Sequence, residues 1–234
     1  MKNIAIIPAK SNSRRLPNKN IRSFLGRPMV EYTLEAAKKS ELFDNIHVST
    51  ESEDVAGLCA EIGFPVDFLR PQELATDEAK LNDVCAYVLK TYSQQGVHFD
   101  NFCILWATAP MRTAEDIISA YNMLEEKVDG VVGVTEYNLP VYCAQNIDRQ
   151  NNLAAVFPEM LLLSSSEMPK VVCDNGSLCW VRMKAYETFG NWLLPSLKGY
   201  YMPRNKSVDI DTQEDWEWAE FLCSRQSKKS SSPG

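Results

Sequence analysis

The chain has 234 residues and a formal net charge of −7, with 45% hydrophobic and 24% charged residues, ten glycines and twelve prolines. This balance is ordinary for a globular protein and excludes collagen-like, disordered and bilayer-spanning classes. A chain of this mass hides roughly 70% of its unfolded surface, enough for one large core with a smaller appendage.

Asn3 to Pro8, with Ile4, Ile6 and Ile7 and a polar loop after it, reads as a buried strand. Helical spacing of Met29, Val30, Leu34, Ala36 and Ala37 predicts a helix from Met29 to Lys39, and Ile46 to Ser49 a second strand. Ser52 caps a helix through Val55, Leu58 and Ile62. A strand is expected at Val66 to Leu69, a helix at Asn82 to Tyr92 and a buried strand at Phe102 to Trp106. Thr113, with Asp116 three residues on, opens a helix through Ile117 to Leu124, and Val131 to Thr135 is strand again. Strands alternating with helices predict an α/β fold, a Rossmann-like, mostly parallel sheet with helices on both faces. Ligands of such sheets bind at the carboxyl ends of the strands.

The pattern breaks from Glu136 to Gly176, a proline-punctuated arm in which Met160 to Leu163 would serve either as core or as an intersubunit contact. Ser177 to Val181 and Gly199 to Met202 read as late strands, and Thr212 with Asp215 as a capping box opening a last helix through Trp216, Trp218, Ala219 and Leu222. A disordered tail is expected from Ser227 to Gly234, leaving residues 1–226 as a single domain that includes the arm.

The net charge is unevenly spread. Lys2, Lys10, Arg14, Arg15, Lys19, Arg22 and Arg27 give +7 before the first acid, Glu31, so the remainder carries −14. Nucleic acid or an anionic membrane calls for a broader basic face, so a small polyanion such as a nucleoside triphosphate fits better. Seven scattered cysteines without a C-x-x-C pair, and an N-terminal apolar run interrupted by Pro8 and Lys10, predict a cytoplasmic protein with free thiols. Two histidines, His47 and His98, offer little material for a zinc site or a histidine-based triad.

Two stretches carry chemistry. The loop from Pro8 to Asn20 follows the first strand, and its Lys10, Arg14, Arg15 and Lys19 can neutralise a triphosphate while Ser11, Asn12, Ser13 and backbone amides donate to its oxygens. Without a glycine it is neither a P-loop nor a dinucleotide fingerprint. In Val208-Asp209-Ile210-Asp211-Thr212 the alternation of an extended segment lets Asp209 and Asp211 converge as hard oxygen ligands for magnesium, although acids here would equally serve a helix N-terminus.

Lys10 to Asn20, Phe68-Leu69-Arg70-Pro71 with Glu73 to Asp77, Ala107 to Pro110, and Asp209 to Thr212 with Asp215-Trp216 together resemble the cytidylyltransferases that activate nonulosonic acids as CMP-sugars. The motifs follow that family's order over nearly the whole chain, and Trp106 to Pro110 is most similar to the CMP-pseudaminic acid synthetases. The resemblance implies a nucleotide-diphospho-sugar transferase fold, a homodimer formed through the arm, CTP and a nonulosonic acid as substrates, and Mg2+. It implies nucleotide contacts at Lys10, Ser13, Arg14, Lys19, Asn20 and Arg70, with Lys19, Arg70 and Asp211 at the chemistry. Asp209 and Asp211 match the metal acids, and Trp106, Thr108, Asp174 and Ser177 match the sugar side.

Three departures stand out. Lys10 replaces the family's usual arginine, keeping the charge without the planar fork. Lys80 and Leu81 replace small hydroxyl residues near the base, and Ser177, Leu178 and Cys179 replace polar and aromatic sugar-side positions. Alternatives are a CMP-Kdo synthetase, whose first loop resembles Ser13 to Pro17 but which lacks the late aspartate pair, a glycosyltransferase using Asp209-Ile210-Asp211 as its metal motif, and a non-catalytic nucleotide-sugar binding protein.

Overall fold

Ile4, Ala5, Ile6 and Ile7 are wholly buried, as a strand covered on both faces requires. In the computed structural model, which describes residues 1–230 apart from Asn138 and Ser165, this strand is β1 (Asn3–Pro8). The short pair β2 (Ser23–Phe24) and β3 (Arg27–Pro28) leads into α1 (Met29–Ser40), β4 (Asn45–Ser49), α2 (Glu53–Glu61), α3 (Leu81–Gln94), β5 (Asn101–Leu105) and α4 (Ala114–Asn122). Then come β6 (Gly130–Glu136), β7 (Gln145–Ile147), β8 (Leu153–Ala155), β9 (Val172–Arg182), α5 (Met183–Phe189), β10 (Leu197–Tyr201) and α6 (Gln213–Ser230).

Six strands form one sheet in the order β10-β6-β9-β5-β1-β4. β1 is parallel to β4 and β5, and β10 to β6, while β9 runs antiparallel between β5 and β6. Alternation sorts the core: Ala5 and Ile7 pack with Val30, Leu34 and Trp180 on one face, and Ile4 and Ile6 with Val88, Phe102 and Tyr186 on the other. The Trp180 indole fills its face by stacking on Phe43 and donating to the Ile117 carbonyl at 3.2 Å. The expected α/β fold with a mostly parallel sheet is therefore present.

Three expectations change. Val66 to Leu69 forms no strand and bends at Asp67, where side-chain packing holds it: Phe68 stacks on His47 and meets Tyr92, whose hydroxyl donates to Asp67. The late strand begins at Val172, five residues earlier than expected, and pairs with the end of β6 (Glu136 with Val172), so the excursion between them is closed at its base. The last helix continues to Ser230, past the expected start of a disordered tail at Ser227; residues 231–234 of that tail lie outside the described residues.

Within the excursion β7 and β8 form a hairpin, and Leu139, Ile147, Leu153, Leu161 and Leu162 are exposed. Met160 to Leu163, with Leu162 88% exposed, is thus no part of the core of this chain.

Candidate active site

The first loop leaves β1 where the parallel strands end, with Ala9 N donating to the Ser49 carbonyl at 2.9 Å. Its fold is set by polar side chains in place of glycine: buried Asn20 donates to the Lys10 carbonyl at 2.8 Å, closing the loop on itself. The basic residues then turn to two carboxylates. Lys10 Nζ and Arg14 Nε bond to Asp77, the former at 2.7 Å, and Arg15 Nη2 and Lys19 Nζ bond to Asp211 at 2.6 and 2.9 Å. Bonding to Lys10, assisted by Arg14, holds the Asp77 carboxyl below its usual range. Four cations thus bond to two carboxylates, and the charges of Asp209 and Asp215 reach Arg15 as well, so the basic loop is offset by acids on its far side. Ser13 is half-buried on the same loop.

Arg70 sits beside this loop and is held by Glu51, directly after β4. The pair is nearly dry, with 3% and 5% of the side chains exposed, and Arg70 Nη2 reaches Glu51 Oε2 at 3.0 Å. The other oxygen, Oε1, accepts from Ser11 N at 2.8 Å and Ser11 Oγ at 2.7 Å. Burial alone would raise the Glu51 carboxyl, but the bonds from Ser11 and Arg70 outweigh it and hold the group below its usual value. One carboxylate thereby fixes both the first loop and the arginine. Glu51 lies outside the sequence motifs; an acid two residues past the end of a parallel strand, ahead of the capping Ser52, is the signal that marks it.

The late aspartates divide their work. Helix capping at the start of α6 falls to Asp215, which accepts from Thr212 N and Oγ1 at 2.8 and 2.7 Å and from Asp211 N at 3.1 Å. The Asp211 carboxylate is therefore free to hold Lys19 and Arg15. Asp209 has no hydrogen bond or ion pair among the described residues, and crowding by protein, then the charge of Asp211, holds its carboxyl above the usual range. It lies against Gly176, where an added Cβ would stand 3.3 Å from its carboxyl carbon and where φ is +59°. Glycine meets both demands.

Gly176 belongs to a bulge. The β6–β9 register runs Val132 with Cys179 and then Val134 with Asp174, so residues 175–178 bow out beside Gly133. Within it Asp174 Oδ1 accepts from Gly176 N at 2.9 Å, and Asn175 Oδ1 from Ser177 N at 3.1 Å. Burial raises the Asp174 carboxyl despite the Gly176 bond. Since Asp211 touches the first loop and Asp209 touches the bulge, the segment 207–211 lies between the two. Trp106, half-buried at the end of β5, meets Ser177 through Trp106 N to Ser177 O at 3.2 Å and stands edge-on to Trp192 at 6.2 Å. Thr108 is buried in the following loop.

A cavity of about 1160 Å³ opens on the outer side of Asp209, lined by Asp174, Asn175, Asp215, Tyr137 and Trp218 among others. None of the four loop cations lines it, so it lies across the 207–211 segment from the first loop. Residues 4–225 match the Cytidylyltransferase family. The chain belongs to this family of enzymes.

Among curated cytidylyltransferases, the chain is 31% identical over 224 residues to the pseudaminic acid cytidylyltransferase of Campylobacter jejuni, covering 95% of this chain and 96% of that one. It is 30% identical to the CMP-N,N'-diacetyllegionaminic acid synthase of Legionella pneumophila, with the same coverage. It is 31% identical to the N-acylneuraminate cytidylyltransferase of Escherichia coli, of which it spans 53%. A CMP:2-keto-3-deoxy-manno-octonic acid synthetase solved with CTP shares the fold with a TM-score of 0.72 at 15% identity, covering 97% of this chain and 100% of that one. The 4-diphosphocytidyl-2C-methyl-D-erythritol synthase of Anaerococcus prevotii does so with a TM-score of 0.66 at 15% identity, covering 96% and 99%.

In this cytidylyltransferase the expected nucleotide residues Lys10, Ser13, Arg14, Lys19, Asn20 and Arg70 gather around one loop, and Asp211 joins them. Trp106 and Ser177 meet instead at the end of the β5–β9 ladder, while Asp174 stands opposite Val134 of β6 across the bulge and is not brought to them. No group of three or more His, Cys, Asp or Glu side chains among the described residues forms a self-sufficient metal site. The donors are two carboxylates, which fits a hard cation that takes its remaining ligands from water and substrate phosphate.

Proposed function

We propose that the chain transfers CMP from CTP to the anomeric hydroxyl of a nonulosonic acid, pseudaminic acid, and releases pyrophosphate. The observation that carries this reading is the first loop at the strand ends, whose Lys10 and Arg14 meet Asp77 and whose Arg15 and Lys19 meet Asp211. The name of the C. jejuni relative supports the acceptor.

The triphosphate exchanges the carboxylates Asp77 and Asp211 for its own oxygens on the four cations, with loop amides as further donors. Arg70, steadied by Glu51, keeps a fixed charge beside the phosphates. The acceptor hydroxyl attacks the α-phosphorus and gives up its proton to solvent water, the new P–O bond forms as the bond to the β-phosphate breaks, and pyrophosphate leaves with charge that the cations neutralise. No covalent enzyme intermediate is needed; positioning and preorganised charge supply the acceleration. Trp106, Thr108, Asp174 and Ser177 line the acceptor side. Mg2+, held by Asp209 and Asp211, would supply charge neutralisation on the phosphates.

The reading includes a cytoplasmic homodimer. Exposed Leu139, Ile147, Leu153, Leu161 and Leu162 on the 137–171 excursion give the second copy an apolar surface to cover, and seven free cysteines suit a reducing compartment. Pyrophosphate release assayed with CTP and pseudaminic acid, with and without Mg2+, tests the function; no release in the complete mixture would refute it.

A further inference from the structure

Arg112 follows the loop that leaves β5 and is only 3% exposed. A guanidinium keeps its charge in proteins, so burying one carries a large desolvation cost that a bonded carboxylate ordinarily offsets. Among the described residues none bonds to Arg112. Asp116, whose charge reaches it, gives its oxygens to Lys206, Tyr200 and the Thr113 cap. Burial pulls the Arg112 pKa down to about 10.

The charge is spent on carbonyls instead. Nη1 donates to the Ser177 carbonyl and, at 3.3 Å, to the Trp106 carbonyl. Nη2 donates at 2.7 Å to Thr33 Oγ1, whose hydroxyl passes a bond on to the Trp106 carbonyl at 3.2 Å. Nε is buried without a hydrogen-bond partner among the described residues. These carbonyls stand where the β5–β9 ladder ends, one residue past the pair Leu105 and Leu178, and where β9 bulges away from β6. A strand end beside a bulge lacks the ladder that would fix it, and the arginine fork takes that place.

We propose that Arg112 is a positioning residue for the acceptor sugar: it fixes Trp106 and Ser177 through their carbonyls and sets a positive charge with no bonded carboxylate beneath the place where an anionic sugar docks. The proposal rests on the reading that Trp106 and Ser177 face the acceptor. A core arginine kept for stability alone would be expected to carry a carboxylate partner. One kept for an anionic ligand leaves its charge open, and replacing it by an apolar side chain of similar length relieves the desolvation cost.

The test is steady-state kinetics of Arg112→Met and Arg112→Lys with CTP and pseudaminic acid, together with thermal melting and a Trp106→Ala control. Arg112→Met is expected to melt within about 5 °C of the unmodified protein, to keep the CTP KM within about twofold, and to raise the pseudaminic acid KM by at least about tenfold. Arg112→Lys, which restores the charge without the fork, recovers part of that loss. If Arg112→Met does not fold, the KM split of Arg112→Lys decides. A CTP KM that rises as far as the acceptor KM, or an acceptor KM unchanged in the Arg112 variants while Trp106→Ala raises it, overturns the proposal. An acceptor KM unchanged in Trp106→Ala overturns the reading beneath it.

Discussion

Truncating Glu51 to alanine strands Arg70 as a buried cation. With side-chain exposures of 3% and 5% the pair is shielded from water, so the surface-pair discount does not apply. Removing one partner of such a pair costs about 3–5 kcal/mol, because the other charge is left uncompensated. Ser11 adds little to this, since it is half-buried and water can replace the lost acceptor. At about 2–4 °C per kcal/mol for a chain of this size, the melting temperature should fall by roughly 6–20 °C. Glu51→Leu combined with Arg70→Met exchanges the pair for apolar side chains and should recover most of that loss, within about 2 kcal/mol of the unmodified protein. Activity should stay lost in the double variant, because Arg70 is gone.

The pH dependence has a definite sign. The folded Glu51 carboxyl lies below its unfolded value, so the stability it contributes is fully present above the unfolded pKa of about 4.3 and is lost as pH falls through the folded value. The gap in melting temperature between the unmodified protein and Glu51→Gln should therefore be constant from neutral pH to about 5 and close below that. Calorimetry across pH 3–8 reads both effects. A Glu51→Ala drop under about 2 °C, or a double variant as unstable as the single one, would falsify the view of Glu51 and Arg70 as a desolvated pair.

Asp209→Asn removes a carboxylate that crowding and Asp211 already burden, so without ligands the variant should melt at or slightly above the unmodified protein, by about 0–3 °C, while the added stabilisation by Mg2+ with CTP disappears; a melt with intact Mg2+-dependent stabilisation contradicts the metal assignment. Asp77→Asn should bind CTP more tightly at low salt, because Lys10 and Arg14 lose a competing anion, and the difference should vanish near about 1 M salt, where screening acts within about 3 Å; titration at two ionic strengths reads it, and weaker binding at low salt would count against the exchange of carboxylate for phosphate. Leu162→Asp puts a charge on a side chain 88% exposed in the single chain, so it should leave monomer stability within about 0.5 kcal/mol but dissociate the proposed homodimer; sedimentation that still shows a dimer would remove the excursion from the interface.

Features encoded within a few residues were legible in the sequence. β1, the capping boxes Thr113/Asp116 and Thr212/Asp215, and the cation-rich loop after β1 each depend on neighbours close in the chain. What escaped depends on distant partners. The antiparallel direction of β9 and its bulge arise from pairing with β5 and β6, which no local pattern encodes. Val66 to Leu69 has strand-like alternation, yet the ring of Phe68 finds His47 and Tyr92 before its backbone finds a ladder. At the site, the basic residues were legible and their partners were not: Asp77, Glu51 and Asp211 meet them across 67, 19 and 192 positions of chain. Arg112 reads as one more loop cation until its burial and its carbonyl partners are known.

The most direct test of the proposed function is the mass of the product formed by the purified chain with Mg2+, each of the four common nucleoside triphosphates, and a panel of pseudaminic, legionaminic and N-acetylneuraminic acids and Kdo. We expect pyrophosphate and a CMP-sugar only with CTP, and fastest with pseudaminic acid. A CMP-Kdo product in preference to any nonulosonic acid product, or CTP binding with no product from any acceptor, would contradict it.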